Sequence, residues 1–305
     1  MHDPRLLVFT DPQMAEHDPG PGMPERSARL AAATAAVADR RGVEIRSPTP
    51  IGRGALLRAH DAAYLDAVLE AEGRPFAVDH ETRGSAQTVM AARLAAGAVT
   101  QAALAVIDGP VRRAFALVRP PGHHAMRKLG MGFCFFNNVV VAALAARAER
   151  EVNRVLVIDW DVHHGNGTED IFRGDEHLLF FSTHQGGQGF YPGTGLVSSG
   201  NALNVPLSAG AGDAAMLKAF REVLKPAADH FNPDLVLVSA GFDAHQDDPL
   251  AGLVATPEGF AALCREVIDI AETHAEGRLV LALEGGYDLP ALTACIAACT
   301  DVLVA

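Results

Sequence analysis

Cysteine, positive charge and long apolar runs are all scarce in this chain, and each scarcity removes a class of protein. Four cysteines (Cys134, Cys264, Cys295, Cys299) occur with no Cys-x-x-Cys spacing, so neither a disulfide framework nor a thiolate metal site is expected. Cys295 and Cys299 lie one helical turn apart among apolar residues and read as core. Lys and Arg number 25 against 37 Asp and Glu, a formal net charge of −12 with no long block of one sign. A general nucleic-acid surface needs clustered basic residues and is not expected; cationic partners are compatible with this balance. The apolar run 139–146 is too short to cross a bilayer, and the Ala-rich segment 86–108 is interrupted by Arg93 and Gln101, so no membrane association is expected. No basic region followed by an apolar stretch marks a secretory signal, which makes a reducing cytoplasm the expected location. Phosphate-loop, dinucleotide and Gly-x-Ser-x-Gly patterns are absent too, which leaves nucleotide and serine-hydrolase chemistry unsupported.

What is present is a globular composition, 49% hydrophobic and 20% charged. β-branched and apolar runs predict strands at 6–10, 43–46, 114–118, 155–159, 177–182, 203–207, 234–239 and 278–283. Between them, helical patterns occupy 24–41, 55–72, 85–108, 137–150, 214–230, 256–274 and 289–302. Strand, polar loop and helix alternate throughout, the pattern of an α/β protein with a mostly parallel sheet. No linker divides it, so residues 1–305 are expected to form a single domain.

Four of these strands end in reactive groups. The run Val155-Leu156-Val157-Ile158 passes directly into Asp159-Trp160-Asp161-Val162-His163-His164-Gly165-Asn166. In extended chain Asp159, Asp161 and His163 share one face. An aspartate oxygen and a histidine nitrogen two residues apart make a half-site for a divalent metal. A third ligand is needed, and Asp243, after the apolar strand 234–239, is the best placed; a turn aspartate is the alternative. Asp247 and Asp248 are expected to serve the turn before Pro249. His123 and His124 follow a stiff Pro-Pro-Gly turn, and a histidine pair beside a metal suits proton transfer in both directions. Asp159 then suits holding one imidazole N–H, and Asn166 the other. Tyr287, between Gly286 and Asp288, could donate to a developing oxyanion or be a packing tyrosine. In an open parallel sheet such strand ends meet at the carboxyl edge, so one shared site is expected.

Six motifs, in order and spanning nearly the whole chain, are similar to the zinc-dependent histone deacetylase family. They are RPPGHHA (119–125), GFCFFNN (132–138), DWDVHHGNGT (159–168), YPGTG (191–195), SAGFD (239–243) with Asp248-Pro249-Leu250, and EGGY (284–287). The likeness extends to class II-like bacterial amidohydrolases and acetylpolyamine amidohydrolases. It implies the arginase/deacetylase-like three-layer fold, with an eight-stranded, mostly parallel sheet flanked by helices. It also implies one Zn2+ per chain, with Fe2+ as the competing ion, on Asp161, His163 and Asp243. His124 would be general base and acid, with His123 on Asp159 as its electrostatic partner, Asn166 behind His124, and Tyr287 polarising the carbonyl. Gly132, Phe133 and Tyr191 would line the acyl-lysine tunnel, with Phe190 as an alternative wall and Leu250 at its gate. Arg26 would support the inner pocket, and Met23 stands where many relatives have His. K+ would bind near main-chain groups of Asp159, Asp161 and His163, with the Ser182 hydroxyl.

The implied reaction is hydrolysis of an N-acetyl amide on acetyl-lysine or on an acetylated small amine. Leu250, where polyamine-selective relatives often carry an acid, favours the former. A binuclear manganese site would need a carboxylate at position 245, which is His. A non-catalytic acyl-lysine binder would be expected to lack part of the His, Asp and Tyr set. The sequence sets no oligomeric state, and a homo-oligomer is compatible with it.

Overall fold

Residues 4–305 are described by a computed structural model. The strands are β1 (Leu6–Phe9), β2 (Val43–Arg46), β3 (Phe76–Ala77), β4 (Arg83–Gly84), β5 (Arg113–Ala116), β6 (Val155–Asp159), β7 (Leu178–Gln185), β8 (Ala202–Leu207), β9 (Leu235–Ala240) and β10 (Leu279–Leu283). Eight of them form one parallel sheet in the order β2-β1-β5-β10-β9-β6-β7-β8, while β3 and β4 make a separate antiparallel pair. Because both faces of the sheet are covered, successive strand residues alternate between two cores. Val155 and Val157 pack with Leu235, Leu237 and Val280 on one side. Leu156 and Ile158 pack with Val236, Val238 and Leu281 on the other.

The helices are α1 (Ala28–Ala35), α2 (Arg53–Ala59), α3 (Ala62–Leu69), α4 (Thr88–Asp108), α5 (Asn138–Glu149), α6 (Asn166–Phe172), α7 (Asp213–Ala219), α8 (Lys225–Phe231), α9 (Pro257–His274) and α10 (Leu289–Leu303). One layer holds α4 against α5, and the other holds α10 against both α9 and α1. The helix α4 is long and apolar enough to cross a membrane by length and composition, but it is mostly buried as a core helix. Local chemistry fixes the ends. Thr256 accepts from the Gly259 N–H and Pro257 opens α9, while Asp288 accepts from the Ala291 N–H at the start of α10.

Three predicted helices differ. The helix expected over 24–41 begins at Ala28, the Glu25 side chain ahead of it being drawn into a buried ion pair with Arg119, and it ends at Ala35. The helix expected over 55–72 breaks at His60, whose ring accepts from the Asn137 N–H and faces the Met126 carbonyl; Asp61 then caps α3. The helix expected over 214–230 carries a π-helical turn, Phe220–Leu224, just ahead of Pro226, which has no N–H to give. Helix α6 was missed, since Gly165 and Gly167 read as turn signals.

Candidate active site

Strands β5, β10, β9 and β6 are consecutive in the sheet. Their carboxyl ends therefore bring together the loops bearing His123–His124, Tyr287, Asp243 and Asp159–His163. The shared site expected at this edge is where those side chains meet.

At its floor, ligand atoms of Asp161, His163 and Asp243 all lie within 4.8 Å of one another. His163 Nδ1 stands 3.2 Å from Asp161 Oδ1 and 3.1 Å from Asp243 Oδ2. Backbone amides hold both carboxylates: Gly285 N–H donates to Asp161 Oδ2 at 2.8 Å, and Val162 N–H donates to Asp243 Oδ1 at 2.8 Å. A Cβ at Gly241 or Gly285 would collide with these carboxylates, so the glycines are spacers for the acids. The trio is buried. Burial and the charge of Asp161 push Asp243 up to about 7. Burial alone would depress His163, but its contacts with Asp161 and Asp243 raise it to about 10. A proton on Nδ1 thus offsets two carboxylates, and a divalent cation among them would satisfy the same oxygens while freeing Nδ1 as a ligand. Two hard oxygens and an imidazole nitrogen fit such an ion and leave coordination positions open.

The adjacent histidines sit in opposite fields, their ring centroids 4.0 Å apart. His123 Nδ1 lies 2.9 Å from Asp159 Oδ2 and its Nε2 3.8 Å from Asp161 Oδ1. Burial works against its charge, but Asp161 and Asp159 outweigh burial and hold His123 well above the usual histidine range. His124 Nδ1 lies 2.7 Å from Asn166 Oδ1. Its burial, reinforced by His123 and His163, holds it well below that range. The amide oxygen accepts from Nδ1–H, which leaves Nε2 of a neutral His124 with its lone pair.

Above this floor opens a cavity of about 380 Å³ lined by His124, His163, Tyr287, Gly132, Phe133, Tyr191, Leu250, Met23, Pro24, His80 and Glu81. The Tyr191 ring stands edge-on to His124 at 5.2 Å, and Phe133 faces Tyr287 at 6.1 Å. Phe190 stacks on His163 at 5.3 Å. Phe133 takes a positive φ of 68°, a strained conformation for a bulky residue, and its N–H donates to Thr82 Oγ1. Every residue expected in the catalytic, metal and tunnel sets lies in this region. Ser182 pairs in register with Asp159, and its hydroxyl meets His184 Nδ1 at 2.8 Å.

Sequence reasoning misplaced or missed several residues. Arg26 is exposed; the buried arginine of that segment is Arg29, whose guanidinium lies 4.9 Å from the Tyr287 ring centroid and donates to the Gly286 and Glu284 carbonyls. Arg26 lies just ahead of α1 and Arg29 within its first turn, and the spacing Glu25–Arg29 (i, i+4) was the available signal. Arg119 makes two bonds of 2.7 Å to Glu25. Glu284 Oε2 accepts from the Gly122 and His123 N–H groups and its Oε1 from the Ser239 hydroxyl, and burial pushes it up to about 7. Asp248 does serve a local turn, as expected, but it also reaches the Tyr287 backbone.

A family profile described as histone deacetylase domain matches residues 23–303. Histone deacetylase 15 of Arabidopsis thaliana is 38% identical over 314 residues, covering 99% of this chain and 56% of that protein. A probable deacetylase of Archaeoglobus fulgidus is 35% identical, covering 93% of this chain and 81% of that one. The histone deacetylase-like amidohydrolase of Pseudomonas aeruginosa is 42% identical, covering 80% and 66%. A crystal structure of the HDA15 HD domain aligns with a TM-score of 0.93 at 37% identity, covering 99% of this chain and 90% of that one. The chain spans about half the length of the plant relatives it matches, 46%, 42% and 56%.

Proposed function

The chain belongs to the histone deacetylase family and has its arginase-like fold, and on that premise we propose that it hydrolyses N-acyl amides, acetyl-lysine side chains foremost. One observation carries the proposal: three ligand atoms within 4.8 Å of one another, beneath a cavity that His124 and Tyr287 also line.

Asp161, His163 and Asp243 would hold the metal, with zinc as the proposed ion. When bound, a divalent ion there supplies the charge that polarises an amide carbonyl and lowers the pKa of a water toward about 7. The protein's own groups do the rest. His124 Nε2 takes a proton from water as the oxygen adds to the carbonyl carbon. His123, kept cationic by Asp159, stands beside the growing negative charge, and the Tyr287 hydroxyl donates to the tetrahedral oxyanion. Protonated His124 returns its proton to the nitrogen as the C–N bond breaks, releasing amine and carboxylate. Gly132, Phe133 and Tyr191 form a wall for an apolar stem, and Leu250 closes one side of the mouth. Ferrous iron suits the same donors, so metal content and reconstitution with each ion decide between them. K+ at main-chain groups of Asp159, Asp161 and His163 with Ser182 belongs to the same proposal, tested by activity across a potassium titration. The reducing cytoplasm is the proposed location.

A second reading, an acetylpolyamine amidohydrolase, draws on Glu81 at the mouth, which could meet a distant ammonium. Acetyl-lysine reporter peptides compared with acetylputrescine and acetylspermidine separate the two. Higher kcat/KM on the peptides is expected; equal or better turnover of the polyamines would overturn the preference inferred from Leu250.

A further inference from the structure

The hydroxyl assigned to the oxyanion sits on a residue whose backbone is poorly constrained by its own chain. Tyr287 follows Gly285 and Gly286, and Gly286 has a φ of +118°. Two consecutive glycines leave the direction of the next residue free unless something outside grips it. The Gly286–Tyr287 peptide is gripped from both sides. Its carbonyl accepts from Arg29 Nε at 2.7 Å, and its N–H donates to Asp248 Oδ2 at 2.7 Å, with the Asp288 N–H at 3.4 Å from the same oxygen. The other oxygen, Oδ1, accepts from the Leu250 N–H at 3.0 Å. Asp248 is itself only 7% exposed, on the loop that leads from Asp243 to Leu250.

We propose that Asp248 is a positioning residue that sets where the Tyr287 hydroxyl stands, by fixing the Gly286–Tyr287 peptide with one oxygen while shaping the Leu250 wall with the other. Thirty-nine residues separate Asp248 from Tyr287, so this bond is not turn chemistry, whereas the bond to Leu250 two residues on is an Asx turn. One carboxylate thereby couples the phenol at the floor to the gate at the mouth. The proposal rests on the reading of Tyr287 as oxyanion donor.

The test is a double-mutant cycle on kcat with an acetyl-lysine reporter peptide. Asp248→Ser keeps a hydroxyl that accepts from the Leu250 N–H, since Ser forms the same local turn, but is too short to reach Tyr287. Its kcat is expected to fall about 10- to 100-fold, the scale set by an ångström-sized misplacement of a reacting group, with KM, melting temperature and metal per chain near those of the parent. In a Tyr287→Phe background the same change should cost less than about threefold, because the hydroxyl it positions is gone. Asp248→Asn, which exchanges one acceptor for a donor at constant shape, should repeat the pattern. Equal losses in both backgrounds, or a loss that merely follows a lower melting temperature or metal content, would overturn the proposal. Near-normal turnover of Tyr287→Phe alone would instead remove Tyr287 from the reaction, a failure the cycle reads separately.

Discussion

The floor of the cavity and its mouth are built on different principles. At the floor, carboxylates work in two directions at once: Asp161 accepts from a backbone amide and faces His163, and Asp243 does the same. These groups stand at the ends of strands paired on both sides. The mouth is made of loops. Glu81 and Thr82 donate their N–H groups to Asp79 Oδ1, the Thr82 hydroxyl accepts from Phe133 N–H, and Leu250 is 37% exposed. On the proposed reaction, the difference teaches that the sheet would set the reacting groups and the loops would set what is admitted. Floor variants should therefore change kcat, and mouth variants KM.

The largest effect is expected at the floor. His124→Ala should lower kcat by about 10²–10⁴ with metal retained, since a positioned acid–base group contributes on that scale. A loss confined to KM would break the division between floor and mouth. Behind the floor, Glu25→Gln leaves Arg119 buried without its charge partner and should destabilise the chain by about 3–5 kcal/mol in denaturant titration. Tyr287→Phe should cost about 10²–10³ in turnover without loss of metal.

Acid should also weaken the fold at the buried histidine between α2 and α3, at a lower pH than the one that protonates Asp243 and Glu284. Burial depresses His60 to about 4 from the usual 6.5. The unfolded chain therefore binds this proton first, and stability is present above 6.5 and lost as pH falls toward 4. The loss is about 3 kcal/mol, and it should be absent from the stability–pH curve of His60→Gln. The smallest effect belongs to the mouth. Glu81→Gln should raise KM about threefold for acylamines bearing a second positive charge, with kcat unchanged, as exposed charge pairs are weak. A change in kcat would show that mouth and floor are not separable there.

Much of this was legible in the sequence because two of the three ligand positions, Asp161 and His163, are local in sequence. Asp159, Asp161 and His163 share a face through strand geometry alone, and abrupt changes from apolar run to polar group marked all four strand ends. Missed features depend on distant partners. Nothing near Asp248 announces Tyr287, and nothing near Glu284 announces Gly122 and His123. Arg26 was expected at the inner pocket from the likeness of its Pro-Glu-Arg segment, whereas the arginine that α1 buries is Arg29. The break at His60 likewise involves the distant Asn137 and Met126, whereas Pro226 was a local signal for the π-helical turn before it.

Glu284 shows how far this chemistry could be moved. Its single carboxylate joins the segment after β5, through Gly122 and His123, to the Ser239 hydroxyl on β9, while its own backbone continues β10. A designer grafting the site onto another scaffold could not bring only the groups that face the cavity. Three neighbouring strand ends would have to travel together, with their spacing intact, or the histidine loop would arrive without the carboxylate that holds its amides.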